Sequence, residues 1–315
     1  VPKNRTLPAA AQEQLQRVFW YRAWTGEANA AKVRMILISS HRRWLANRLT
    51  AMGHIWLITG PPGCGKTNWI LNTLQNHSGP KAYLQLHGHS SNELEQAGNV
   101  GIDRAWLTDQ IPDLQHAEVN ADLVQEPQKD QLTLIEWPQF HPPKTVGIEG
   151  ADPSLLNTLS GMNLSPQRVL NFGCDAELPD QDTLRFTRLE SWSLNLHGQV
   201  WDPNSLSSFW FELVNGAYGD VYRAKALMNL PDGRAFLCNW MVSQPSSQFL
   251  PLKNVLPPLG RPQRTSELVV QGKALNSPGI ESTIHDCLLS DEALELHQAP
   301  LREQFNQQQS TPSLV

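Results

Sequence analysis

The spacing of apolar positions divides the chain into four regions. In the first, residues 1–53, Leu37, Ile38, His41, Trp44, Leu45, Leu49 and Met52 recur at helical spacing and predict a helix with one buried stripe. Upstream, Val18, Phe19, Trp20 and Trp24 fall within a shorter predicted helix, where their plainest use is packing against the next domain. The second region, 54–182, alternates short apolar runs with helical or loop stretches. His54–Thr59, Lys81–Leu86 and Leu132–Glu136 read as strands, and Ile70, Leu71 and Leu74 give an apolar face to a helix that stops at Ser78-Gly79-Pro80. Strand, helix, strand predicts parallel pairing through a right-handed crossover.

The third region, 183–292, mixes strand-like alternation with a helix over Leu206–Val214. Tyr222–Asn229 and Arg234–Val242 read as strands around the turn residues Pro231-Asp232-Gly233. Gln244–Arg264, rich in proline and polar residues, reads as a loop. The fourth region, 293–315, holds Gln307-Gln308-Gln309 with Ser, Thr and Pro, a composition that predicts a disordered tail.

One segment carries chemistry outright. The apolar run Ile55-Trp56-Leu57-Ile58-Thr59 leads into Gly60-Pro61-Pro62-Gly63-Cys64-Gly65-Lys66-Thr67, with Asn68 opening a helix: GxxxxGK[ST] in the strand-to-helix setting that a phosphate-binding P-loop needs. Glycines let backbone N–H groups turn towards phosphate oxygens, and the helix aims its positive end at the same anion. Lys66 would neutralise β/γ-phosphate charge and the Thr67 hydroxyl would ligate Mg²⁺. Cys64, beside Lys66 and a helix N-terminus, has surroundings that lower a thiol pKa, although a small residue fitting a tight turn explains it as well. Leu132–Glu136 ends an apolar strand in an acid, the arrangement of a Walker B element, and Glu149 competes for that role.

Composition narrows the setting. No apolar run is long enough to span a bilayer, and Val1–Ala11 has no apolar core like a secretory signal, so a soluble protein is expected. The four cysteines, Cys64, Cys174, Cys238 and Cys287, are dispersed, which fits a reducing cytoplasm and neither a CxxC clamp nor a disulfide framework. The net charge of −5 hides an asymmetry: residues 1–53 hold nine Lys or Arg against Glu13 and Glu27, leaving −12 for the remainder. The basic arm could dock on the chain's own acidic body, the preferred reading, on an acidic partner or on an anionic surface. No nucleic-acid partner is expected.

Three stretches in shared order resemble the CobW-type P-loop GTPases, relatives of the HypB and UreG metal-insertion GTPases. The loop is similar to their GxxGxGKT. Asn99-Val100-Gly101-Ile102-Asp103-Arg104-Ala105-Trp106-Leu107 looks like their switch segment, and Glu136 falls where they place a characteristic Glu. Further on, Val221-Tyr222-Arg223-Ala224-Lys225-Ala226 is similar to their LRAKG strand, and Arg264–Lys273 through Cys287-Leu288 to their closing strand and helix. The resemblance, over His54 to Ser290, implies an α/β P-loop NTPase fold with a mostly parallel sheet, a smaller α+β C-terminal domain and an N-terminal helical extension. It implies GTP as nucleotide, with ATP open, and Mg²⁺ held by Thr67, Asp103 and Glu136. Lys66, Asp103 and Glu136 would be catalytic, and a metal-handling or other protein client is implied.

Departures from the pattern are specific. The metal-binding CxCC is absent, since Gln115–Asp130 contains no cysteine, so Zn²⁺ or Co²⁺ is not expected through thiolates. His87, His89, His116 and His141 are alternative imidazoles, but scattered loop histidines are more often solvated. The guanine-reading NKxD is reduced to Asn171-Phe172-Gly173-Cys174-Asp175, with Asn171 and Asp175 its base-contacting candidates. Trp137-Pro138-Gln139 replaces the stretch that supplies the family's switch glycine, which blunts switching. Two functions remain in view: a slow Mg²⁺-dependent GTPase, or an inactive nucleotide-binding scaffold.

Overall fold

The computed structural model describes residues 53–86, 101–116, 129–138, 145, 147–148, 153–162, 164–174 and 189–310. Expectations for the basic arm, for Asn99, Val100, Glu149 and Asp175, and for His87, His89 and His141 lie outside them. Both sheets described below lie in one compact unit.

The first sheet contains β1 (His54–Gly60), β2 (Lys81–Gln85), β3 (Leu114–His116), β4 (Leu132–Pro138) and β5 (Arg168–Asn171), in the order β3-β2-β4-β1-β5. All four pairings are parallel. β1 and β2 do not pair with each other, as the strand–helix–strand order suggested; β4 lies between them. Its position has a physical reason, because Leu132–Trp137 is buried throughout and belongs in the interior of the sheet.

Alternation along the strands builds a core on each face. Ile58 of β1, Tyr83 of β2, and Leu132 and Leu134 of β4 pack with Ile70 and Leu74 of helix α1 (Lys66–Asn76) and Leu107 of α2 (Ile102–Gln110). On the opposite face Ile55, Leu57, Leu84, Ile135 and Trp137 pack with Leu155 and Leu159 of α3 (Pro153–Gly161). Because Glu136 keeps step with Leu132 and Leu134, it emerges on the α1 face.

The second sheet is antiparallel. It contains β6 (Glu190–Asn195), β7 (Asp220–Asn229), β8 (Ala235–Met241), β9 (Gln244–Pro251) and β10 (Glu267–Lys273), ordered β6-β10-β7-β8-β9. One face packs Ala224, Ala226, Met228, Cys238, Leu268 and Val270 against α4 (Pro203–Val214) and α5 (Ser277–Cys287). The Asp202 carboxylate caps α4 by accepting from the Ser205 N–H at 2.8 Å. The other face meets the first half of the unit. Leu227, Ala235, Leu237 and Leu252 pack on Ile102 and Trp106 of α2, so α2 is wedged between the two sheets.

Two expectations are corrected. Gln244–Pro251, read as loop, is strand β9, at the sheet edge where proline and polar residues are tolerated. The stretch from 293, read as disordered, is helical through Ser310 in α6 (Asp291–Ser310) despite Pro300. Its start is fixed by the Ser290 hydroxyl, which accepts from the Ala293 N–H at 3.2 Å. Leu294 is buried, and the Gln298 amide donates to the carbonyls of Pro231 and Gly260 at 3.2 and 3.1 Å while accepting from the Gly260 N–H at 2.7 Å. Glutamine is a good helix former, so glutamine-rich composition alone does not exclude helix. Among the described residues no helix is long and apolar enough to cross a membrane.

Candidate functional site

The loop from Gly60 to Gly65 joins β1 to α1 in a backbone shape that glycine makes accessible. Gly60 has φ 139° and Gly63 φ 82°, both in the region that disfavours a side chain. Space demands the same residue. A Cβ at Gly60 would fall 2.6 Å from that of Phe172, and one at Gly63 would fall 2.4 Å from the Met241 sulfur. Gly65, φ 83°, precedes α1, and Asn68 lies exposed in that helix's first turn. Pro61, Pro62 and Cys64 complete the loop.

Lys66 turns back over it. Its ammonium donates to the carbonyls of Gly60 and Pro61, both at 2.9 Å, and lies 3.6 Å from the Glu136 carboxylate. The Tyr83 hydroxyl donates to the other Glu136 oxygen at 2.6 Å, which the neighbouring register of β2 and β4 permits. Thr67 donates its hydroxyl proton to Asp103 at 2.6 Å, and Asp103 sits in the first turn of α2, where the helix dipole favours an anion. Lys66, Thr67, Asp103 and Glu136, from three separate elements, therefore stand in one place.

A fifth group arrives from the second sheet. Lys225 of β7 donates to the Thr67 hydroxyl oxygen at 3.1 Å and to the Asp103 carboxylate. Arg223, two residues earlier on the same face, donates to Gln271 at 3.0 Å and passes close to Gly63. Tyr83, Arg223, Lys225 and Met241 were not among the residues that sequence reasoning assigned to the site. A signal existed for two of them. Arg223 and Lys225 alternate with Ala224 and Ala226 in a strand that is otherwise apolar, and cations inside such a strand require partners on the opposing surface.

Burial sets the electrostatics. It raises the Glu136 carboxyl above its ordinary value, with Lys66 opposing and Asp103 adding to the effect. At Asp103 burial pushes upward too, but the Lys225 ammonium and the Thr67 hydrogen bond prevail and bring it down to about 2. Burial lowers Lys225, against the pull of Asp103. It also raises the Cys64 thiol despite nearby Lys66, which accords with the reading of Cys64 as a small residue fitted into the turn.

The base-side candidate Asn171 is fully buried at the end of β5. Its amide nitrogen donates to Thr59 at 2.9 Å and its oxygen accepts from the Gly147 N–H at 2.7 Å. Phe172, where the guanine-reading motif has lysine, packs edge-on to Trp69 with ring centres 6.0 Å apart. His116 lies on β3, and among the described residues no three of His, Cys, Asp and Glu gather in a way that could hold a metal. The hydroxyl and carboxylate of Thr67 and Asp103 are hard oxygen donors, the kind that suits Mg²⁺.

A parallel sheet flanked by helices, with a glycine loop between strand and helix, fits the P-loop NTPase fold. No protein-family model matches the chain, and no curated protein matches it. Among solved structures, it is similar to Zn(II)-bound YjiA GTPase from E. coli at 12% identity and a TM-score of 0.27, over 75% of this chain and 99% of that one. A Zn(II)-bound triple mutant of YjiA GTPase aligns over the same shares at 13% identity and a TM-score of 0.27. At that TM-score the likeness adds nothing to what strand order and site geometry give.

Proposed function

We propose that the chain binds a purine nucleoside triphosphate with Mg²⁺ in the Gly60–Thr67 loop and hydrolyses it slowly. GTP is the default nucleotide, from the resemblance to CobW-type GTPases, and a metal-handling or other protein client the default target. The observation that carries the reading is the meeting of Lys66, Thr67, Asp103 and Glu136 at the mouth of a glycine loop. Thr67 and Asp103 would supply oxygens to the metal, and the ion, when bound, would neutralise charge on the β- and γ-phosphates. Lys66 leaves the loop carbonyls for phosphate oxygens, and Glu136 holds a water by accepting its proton in a hydrogen bond. The Tyr83 hydroxyl fixes which Glu136 oxygen remains open.

Titration with GTP and ATP, each with Mg²⁺, tests the binding and the base preference together. The expected result is saturable binding that Lys66→Ala weakens by a hundredfold or more. Absence of heat with either nucleotide would remove the reading.

A second reading, nucleotide binding without turnover, is favoured by the surroundings of Glu136. Trp137, directly after it, is buried between Leu84, Leu155 and Leu159, so the segment that must swing to sense a γ-phosphate is pinned by packing. Binding with no phosphate release over hours would select this version.

A further inference from the structure

We propose that Lys225 is a resident cation of the site, holding the Thr67 hydroxyl and the Asp103 carboxylate until a divalent metal replaces it. The metal dependence of nucleotide binding is then set from the second sheet. The inference rests on the nucleotide reading above and adds a determinant to the same site.

Lys225 sits in the middle of β7 and is 5% exposed. It shares a face with Arg223 and Leu227, and that face is pressed against the first half of the unit. A buried ammonium needs compensating oxygens. Those that Lys225 finds are the pair whose chemistry suits Mg²⁺, and it reaches both at once. An ammonium and a divalent ion at these two oxygens would repel each other in a poorly screened site, so each weakens the other's hold on them.

A purely structural ion pair would not need this placement. Two residues along the same strand, the seam between sheet and α2 is closed by Leu227 against Ile102 and Trp106, without charge. Replacing buried ion pairs by such packing is often neutral or stabilising, so stability alone does not account for Lys225. Lys66, Arg223 and Lys225 face Glu136, Asp103 and the nearby Glu267 beside the loop, so a triphosphate that draws Lys66 and Lys225 to itself can be received before any metal arrives.

The arrangement makes a directional claim. Without metal, Lys225 masks the Asp103 charge and nucleotide binds with its help. With metal, Lys225 must first yield, so wild-type protein gains little affinity from Mg²⁺. Lys225→Met removes both effects: nucleotide alone then faces an unmasked Asp103, and metal enters unopposed.

Wild type and Lys225→Met are titrated with GTP in excess Mg²⁺ and in EDTA. The affinity gained from Mg²⁺ should be at least tenfold larger in the variant. An equal or smaller gain, with both proteins still binding, overturns the inference and leaves the nucleotide reading standing. No binding by either protein in either buffer removes both together. Should the variant not fold, the exchange is followed in wild type by acylating Lys225 with an amine-reactive ester and measuring the adduct by mass spectrometry. Labelling should be several-fold faster with Mg²⁺ and a non-hydrolysable GTP analogue than with the analogue in EDTA. Equal rates in the two conditions overturn the inference.

Discussion

Asp103 and Glu136 belong to one site, yet their surroundings move them in opposite directions, and the difference lies in their partners. Glu136 is raised because burial outweighs Lys66, so its native form takes up a proton more readily than the unfolded chain does. Its charge is a liability at neutral pH that disappears as pH falls below the ordinary 4.5. Glu136→Gln should therefore raise the melting temperature without nucleotide at pH 7, with the gain shrinking to nothing near pH 4. Thermal scans across that range check it. Asp103, held near 2 against an ordinary 3.8, contributes stability that is present above 3.8 and fades as pH drops towards 2. Asp103→Asn leaves Lys225 buried without its anion and should cost about 3 kcal/mol at pH 7, measured by urea unfolding.

Among the elements, α2 answers to both sheets and to the glycine loop at once. Leu107 packs into the parallel sheet, Ile102 and Trp106 into the antiparallel one, and Asp103 reaches the loop at its N-terminal end. At its other end the Asp109 carboxylate accepts from the N–H groups of Lys253 and Asn254 at 2.7 and 2.9 Å. Trp106→Ala should empty the seam, lowering stability by about 3–5 kcal/mol, and should also weaken nucleotide binding because α2 carries Asp103. Paired denaturation and binding measurements separate the two effects. β1, β2 and β4 were legible in the sequence because short apolar runs between glycines and prolines leave little choice, whereas β3 and β5, three and four residues long, were not read as strands. α2 was not read as a helix, and only its Asp103 was singled out, by resemblance to a switch segment; its nine residues divide their apolar positions between two partners and give no single stripe. β9 and α6 were misread for a related reason. Both owe their order to what they touch, an adjacent strand and the Gln298 amide bonds, and composition does not record contacts.

For the molecule as a whole, the first half of the site could be read from GxxxxGKT and an acid at a strand end, while the half contributed by β7 and β8 was signalled only by two cations inside a largely apolar strand, with nothing to say what they meet. Residues 158 apart, Thr67 and Lys225, meet only because both sheets fold against α2. Shared burial of this kind couples the halves. Residues 53–310 should unfold in one calorimetric transition whose measured enthalpy equals the van't Hoff value. Two separated transitions would show that the seam is weaker than its packing implies.

Asn171 shows how far one side chain can extend that coupling. It brackets β1 through Thr59 and the backbone at Gly147 from a position on a third segment. Three stretches distant along the chain are thus fastened by a single amide, and an Asn171→Ala chain would release them together. Deuterium uptake near 59, 147 and 171 would then quicken in concert, and a loosening that began at any one of them would be felt at the strand that leads into the glycine loop.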